Sequence, residues 1–153
     1  SAISLVKIHE LQIQLLVPNR CIVRTSEDGR MATIFDASQN TPVMDLQVFP
    51  GVLDKVNASE QIFVRDSGVM VFAASRFSRP EADSVRGDGW AGFSASFACA
   101  SDDEFGAHAA GSDCQTAMIS DGKRTILIES RGEQWVPREV FNLMLRSIRF
   151  YAR

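Results

Sequence analysis

The chain has 153 residues, 45% of them hydrophobic and 23% charged, with a formal net charge of −3. That length fits one domain over residues 1–153, with enough buried surface to fold without a cross-link. The charge balance excludes a broad basic field for nucleic acid and an acidic tail, and no apolar run approaches the ~20 residues of a membrane span.

The chain begins at Ser1 with no Met and no apolar signal segment, which fits a removed leader as well as a trimmed start. Leu11, Ile13, Leu15 and Val17 alternate with neighbours of the other face, a period-two strand stopped by Pro18-Asn19. Cys21 to Thr25 and Met31 to Phe35 are the next strands, joined by a turn in which Gly29 takes positive φ. Pro42 opens another strand, with Met44, Leu46 and Val48 on one face and Asp45 and Gln47 on the other. Residues 52–79 are open to helix or strand, with Val69 to Ala74 read as a buried strand. Arg79 to Gly89 is charged and turn-rich and is read as a surface loop.

Phe93, Ala95, Phe97 and Cys99 alternate as a strand. Ala100 to Asp113 is then read as a polar loop, and Gln115 to Ser120 and Lys123 to Ser130 flank the two-residue turn signal Asp121-Gly122. That turn pairs Ala117 with Ile126 and leaves Ile119 and Ile128 on the same core face. The chain closes with a helix from Pro137, in which Val140, Phe141, Met144, Leu145 and Ile148 recur at helical spacing. The expected fold class is α+β, a mostly antiparallel sheet with a long C-terminal helix packed on one face.

Cys99 and Cys114 bracket the polar loop, so the two ends of a hairpin are placed for a disulfide, which persists in an oxidising compartment. Cys21 is left over and is read as a buried, reduced thiol. Asn57-Ala58-Ser59 matches a glycosylation sequon, a triplet that arises often by chance.

The chemical motifs are poorly supported. Gly87-Asp88-Gly89-Trp90-Ala91-Gly92 spells G-x-G-x-x-G, but it follows a charged stretch and opens a strand, whereas a dinucleotide site needs a strand before it and a helix after. Asp102, Asp103, Glu104, His108 and Asp113 crowd the bracketed loop without the spacing of a calcium loop, so no metal or other cofactor is expected. The two histidines, His9 and His108, form no ligand pair, and Ser67 lacks the glycine that precedes the serine in a nucleophile elbow. Asp102 with Glu129 is a conceivable carboxylate pair that nothing selects over others. Arg65, Arg76, Arg79 and Arg86 are interleaved with aromatics, but neighbouring carboxylates dilute their field.

The opening strand ending in Val17-Pro18, the run of hairpins and the closing helix Phe141 to Phe150 resemble the PsbP-like and DcrB-like α+β proteins. The resemblance covers most of the chain and rests on element order. It implies an accessory or binding protein without catalysis, and it carries over no catalytic residue. Small exported domains of this kind also include immunity proteins that block toxins delivered by bacterial secretion systems. The expectation is therefore a non-catalytic periplasmic or secreted protein that binds a protein partner, such as a secreted toxin or effector. Its contact residues are expected to be Asp102, Asp103, Glu104, Phe105, His108, Ser112 and Asp113. A tethered loop loses less entropy on binding than a free one. A small hydrolase, or a carrier of an apolar molecule held between sheet and helix, is the alternative.

Overall fold

A computed structural model describes residues 3–103, 105–131 and 136–152, with the backbone alone for 101–103 and 107–112. Twelve strands and two helices are assigned among them. The main sheet has seven antiparallel strands: β3 (Cys21–Thr25), β4 (Met31–Asp36), β5 (Thr41–Pro50), β8 (Asp83–Gly87), β9 (Trp90–Asp103), β10 (Gly106–Ser120) and β11 (Arg124–Ser130). Their order is β3-β4-β5-β11-β10-β9-β8.

Period-two side-chain alternation gives this sheet two apolar faces. On the first, Ala32, Ile34, Met44, Leu46, Ala117, Ile119, Ile126 and Ile128 are buried in one cluster. The same cluster takes in Ile13, Leu15 and Val17 of β2 (Ile13–Pro18), the middle strand of a three-stranded sheet between β1 (Ile3–Ile8) and β12 (Arg149–Phe150). Helix α2 (Arg138–Arg146) adds Phe141, Met144 and Leu145, and Ile148 follows it into the core. On the second face, Ala95 and Met118 pack with Val56 of α1 (Leu53–Glu60), with Ile62, and with Phe63 and Phe72 of the hairpin formed by β6 (Phe63–Asp66) and β7 (Val69–Phe72). The Phe72 and Phe97 rings meet here at 4.8 Å between centroids.

The expected fold class is corrected. The described residues are mostly antiparallel sheet with two short helices, and among them no long C-terminal helix lies on a sheet face. Helix α2 has nine residues and stops at Ser147. The Ser147 hydroxyl donates to the Met144 carbonyl at 2.6 Å and accepts the Leu16 amide at 2.8 Å, which anchors the helix end to β2. The chain then turns into β12, where Arg149 pairs with Gln14 and Phe150 with Ile13. Phe141, Met144, Leu145 and Ile148 are buried as expected. The helical spacing ran on past Ser147 because Ile148 faces the core whether it is helical or extended.

Three other segments differ. Strand β1 was not anticipated. The supposed surface loop of residues 79–89 contains β8, which pairs with β9 from Asp83↔Ser94 to Gly87↔Trp90. The Asp121-Gly122 hairpin is joined by four residues, not two, so Ser120 pairs with Thr125 and Ala117 with Ile128. Asp121 Oδ1 accepts the amides of Lys123 and Arg124 and thereby widens the turn, while the shared core face survives because the register moves by two. Residues 52–79, left open by the sequence, are α1 followed by the β6–β7 hairpin. Ser67 and Gly68 both take positive φ in its two-residue turn.

The G-x-G-x-x-G string has a structural account. Gly87 and Trp90 pair across a tight turn in which Gly89 takes φ +77°, and a Cβ on Gly87 would lie 2.1 Å from the indole. The Trp90 ring is buried, and its Nε1–H donates to the Ile148 carbonyl at 2.7 Å.

A candidate partner-binding arm

Strand β8 pairs with β9 only over residues 90–94, and β11 pairs with β10 only over residues 116–120. Beyond those limits β9 and β10 pair, among the described residues, with each other alone, out to Asp103↔Gly106. The expected polar loop is therefore corrected: its backbone is a two-stranded arm, with one register irregularity between Ala109 and Asp113. Small and polar residues hide this strand, since Ala100 to Asp113 shows no apolar alternation in the sequence.

The arm is stapled near its root. Cys99 and Cys114 are disulfide-bonded, with their Cα atoms 5.1 Å apart, and both are buried. Cys21 is free, as expected, but half-buried. Burial pushes its thiol pKa up, while Arg20 lowers it and Asp36 raises it.

Of the expected contact residues, Phe105 stands at the arm's tip with 88% of its surface exposed, and Asp113 is exposed near the root. Glu104 lies outside the described residues, as do the side chains of Asp102, Asp103, His108 and Ser112. His9 stands elsewhere, its Nδ1 3.4 Å from the Tyr151 hydroxyl.

Near the arm's root, the second face of the main sheet carries a polar stripe that sequence reasoning missed. Glu129 lies directly opposite Thr116 on one side and Asp45 on the other. Asp45 is engaged already: Arg131 Nη1 meets its Oδ2 at 2.9 Å, and the Thr33 hydroxyl donates to its Oδ1 at 2.8 Å. Burial first, then the Asp45 charge, push the Glu129 carboxyl pKa up, while Arg131 pulls it down. Thr116 Oγ1 is buried without a hydrogen-bond partner among the described residues. Only the cross-strand register brings these residues together, and it sets Asp45 beside Glu129. The side chain of Asn57 is also committed: it is buried, and its Oδ1 accepts the Phe63 amide at 3.2 Å, which takes the sequon out of solvent.

No family model and no curated protein matches the chain. Among solved structures, the chain is similar to the solution structure of cyanobacterial PsbP (CyanoP) from Synechocystis sp. PCC 6803. The match has a TM-score of 0.57 over 98% of this chain and 93% of that one, at 10% sequence identity. The fold is PsbP-like. An identity this low establishes the PsbP-like fold alone, and it agrees with the element order that suggested PsbP-like proteins from the sequence. None of the described helices is long and apolar enough to cross a membrane.

Proposed function

We propose that this PsbP-like protein is a non-catalytic binding protein that works in the periplasm or outside the cell and engages a protein partner through the β9–β10 arm. The observation that carries the reading is the arm itself: two strands without a third among the described residues, stapled by Cys99–Cys114, with Phe105 exposed at the tip. An aromatic presented on a pre-organised hairpin is a suitable anchor, because little conformational freedom is lost when it inserts into a cleft. Asp102, Asp103, Glu104 and Asp113 give the same segment an acidic character suited to a basic partner surface, which speeds association. The disulfide supports the oxidising compartment. In its sharpest form the partner is a secreted bacterial effector and this chain its immunity protein.

The test places a photo-crosslinking residue at Phe105 and identifies the adduct in the native organism. The binding of that adduct protein to Phe105→Ala and to Asp102→Asn/Asp103→Asn is then measured, with thermal melts alongside. Affinity lost with the melt unchanged supports the arm as the binding site. Affinity unchanged in both variants refutes it. A captured effector whose activity this protein does not inhibit refutes the immunity form alone.

A further inference from the structure

The two edges of the arm differ. Between Ala109↔Ala100 and Asp113↔Ala98, β10 holds residues 110–112 against Cys99 alone, so the irregularity lies on β10. A bulged strand twists and presents a poor template for another strand. Strand β9 runs on without extra residues. Its neighbour on that side, β8, begins at Asp83↔Ser94. The chain before it belongs to the β6–β7 hairpin, where the Ala82 amide donates to the Met70 carbonyl at 2.9 Å and Glu81 bridges Val71. Residues 95–100 of β9 thus have no strand beside them on this edge among the described residues.

The direction of the backbone groups follows from one bond. The Gln115 amide donates to Ser130 Oγ of β11 at 2.7 Å, so residue 115 turns its backbone away from β9. In an antiparallel ladder hydrogen-bonded and non-hydrogen-bonded pairs alternate. Gln115↔Ser96 is therefore a non-hydrogen-bonded pair, and Ser96 turns its own N–H and C=O outward, as does Ala98 two residues on. Ala95 and Phe97 turn theirs inward, to Thr116 and Cys114. Natural edges are guarded with proline, lysine or other charges. Residues 95–100 are Ala, Ser, Phe, Ala, Cys and Ala, with none of these. The Cys99–Cys114 bridge holds β9 to β10, so a strand added outside would not peel the pair apart. Residues 100–113 carry Asp102, Asp103, Glu104 and Asp113 and no Lys or Arg, so the charge that complements this stretch is positive. We propose, on the reading that the arm is the binding site, that the partner's contact is an extended basic segment that adds as a strand to the β9 edge over residues 95–100, end to end with β8. Main-chain hydrogen bonds to Ser96 and Ala98 would carry the affinity.

Residue-resolved amide hydrogen exchange tests this on the full chain. In the free protein Ser96 and Ala98 should exchange at least tenfold faster than Ala95 and Phe97. The protein captured through the crosslinker at Phe105 should then slow Ser96 and Ala98 at least tenfold. Ala98→Pro removes an outward N–H without touching the β10 ladder. It should weaken binding of that protein at least tenfold, with the melt close to the parent's. The exchange arm uses the parent chain, so it decides the matter even if the proline variant does not fold. Slow exchange of Ser96 and Ala98 in the free monomer overturns the proposal, because the edge is then already covered. Slowing that appears as the free protein is concentrated also overturns it, since the occupant is then a second copy. Affinity lost in Phe105→Ala with Ser96 and Ala98 still fast in the complex keeps the arm and overturns the added strand. Ser96 and Ala98 slowed with Phe105→Ala affinity unchanged keeps the added strand and overturns the aromatic anchor.

Discussion

Replacing Gly92 with alanine tests why a glycine closes the G-x-G-x-x-G string. Gly92 sits opposite Ile119 in the β9–β10 ladder and is not one of the positive-φ glycines, so alanine suffers no backbone penalty there. The obstacle is space. A Cβ would lie 2.0 Å from the Met118 carbonyl oxygen and 2.8 Å from the Ile119 Cα. Both are backbone atoms of a strand held between two neighbours, so ordinary contact returns only if the ladder itself shifts. Overpacking of this kind costs about 1–3 kcal/mol, and the rigidity of backbone puts Gly92→Ala at the upper end, about 3 kcal/mol. For a chain of this size that is roughly 6–12 °C in melting temperature. Gly89→Ala is the control. Gly89 has φ +77° with nothing within 4 Å of a new Cβ, so it bears only the left-handed conformational cost, about 1 kcal/mol. Urea melts of the two variants with equal slopes should rank Gly92→Ala well below Gly89→Ala. A Gly92→Ala protein within about 0.5 kcal/mol of the parent, or more stable than Gly89→Ala, would refute the steric account.

Phe141→Ala removes a side chain only 1% exposed at the junction of both larger sheets and should cost about 3–5 kcal/mol in denaturant melts; less than about 1 kcal/mol would mean that this face is not core. Trp90→Phe keeps much of the ring but deprives the buried Ile148 carbonyl of its donor, so it should cost about 1–3 kcal/mol, and a neutral result would show that the bond is dispensable. Glu129 has its carboxyl pKa raised by the fold, so the stability that it contributes is full below the unfolded carboxylate range and is lost as pH rises through the folded value. Glu129→Gln should therefore match the parent near pH 3 and exceed it at pH 7; a variant less stable than the parent at pH 7 would refute this sign.

Where one strand face is core and the other is not, alternation was enough to read the sequence: Ile13, Leu15 and Val17, and Met44 and Leu46, are all buried on schedule. The cysteine bridge was legible because both residues flank a reversal of the chain. Strand β8 was hidden because Asp83, Ser84 and Arg86 are exposed, as suits the edge of a sheet, and such a strand carries no hydrophobic period. The arm was hidden for a related reason: Ala100 to Asp113 bears no apolar face, and its strands are defined by each other. Phe105 was named from its small-residue neighbours, and the structure places it in solvent. The Glu129 stripe depends on cross-strand register, which no local pattern in the chain encodes.

Strands β2 and β12 join nearly opposite ends of the chain. The Leu16 amide bonds to Ser147, Ile13 pairs with Phe150, and the Arg124 guanidinium donates to the carbonyls of Leu11, Gln12 and Tyr151. The second edge of β2 is therefore satisfied only when residues 147–151 are in place. Until those residues dock, the β1–β2 hairpin lacks a partner for its second edge and the larger core lacks Phe141, Met144, Leu145 and Ile148. Closing the larger core thus requires a contact across 131 residues of sequence, which is slow to form beside the local hairpins.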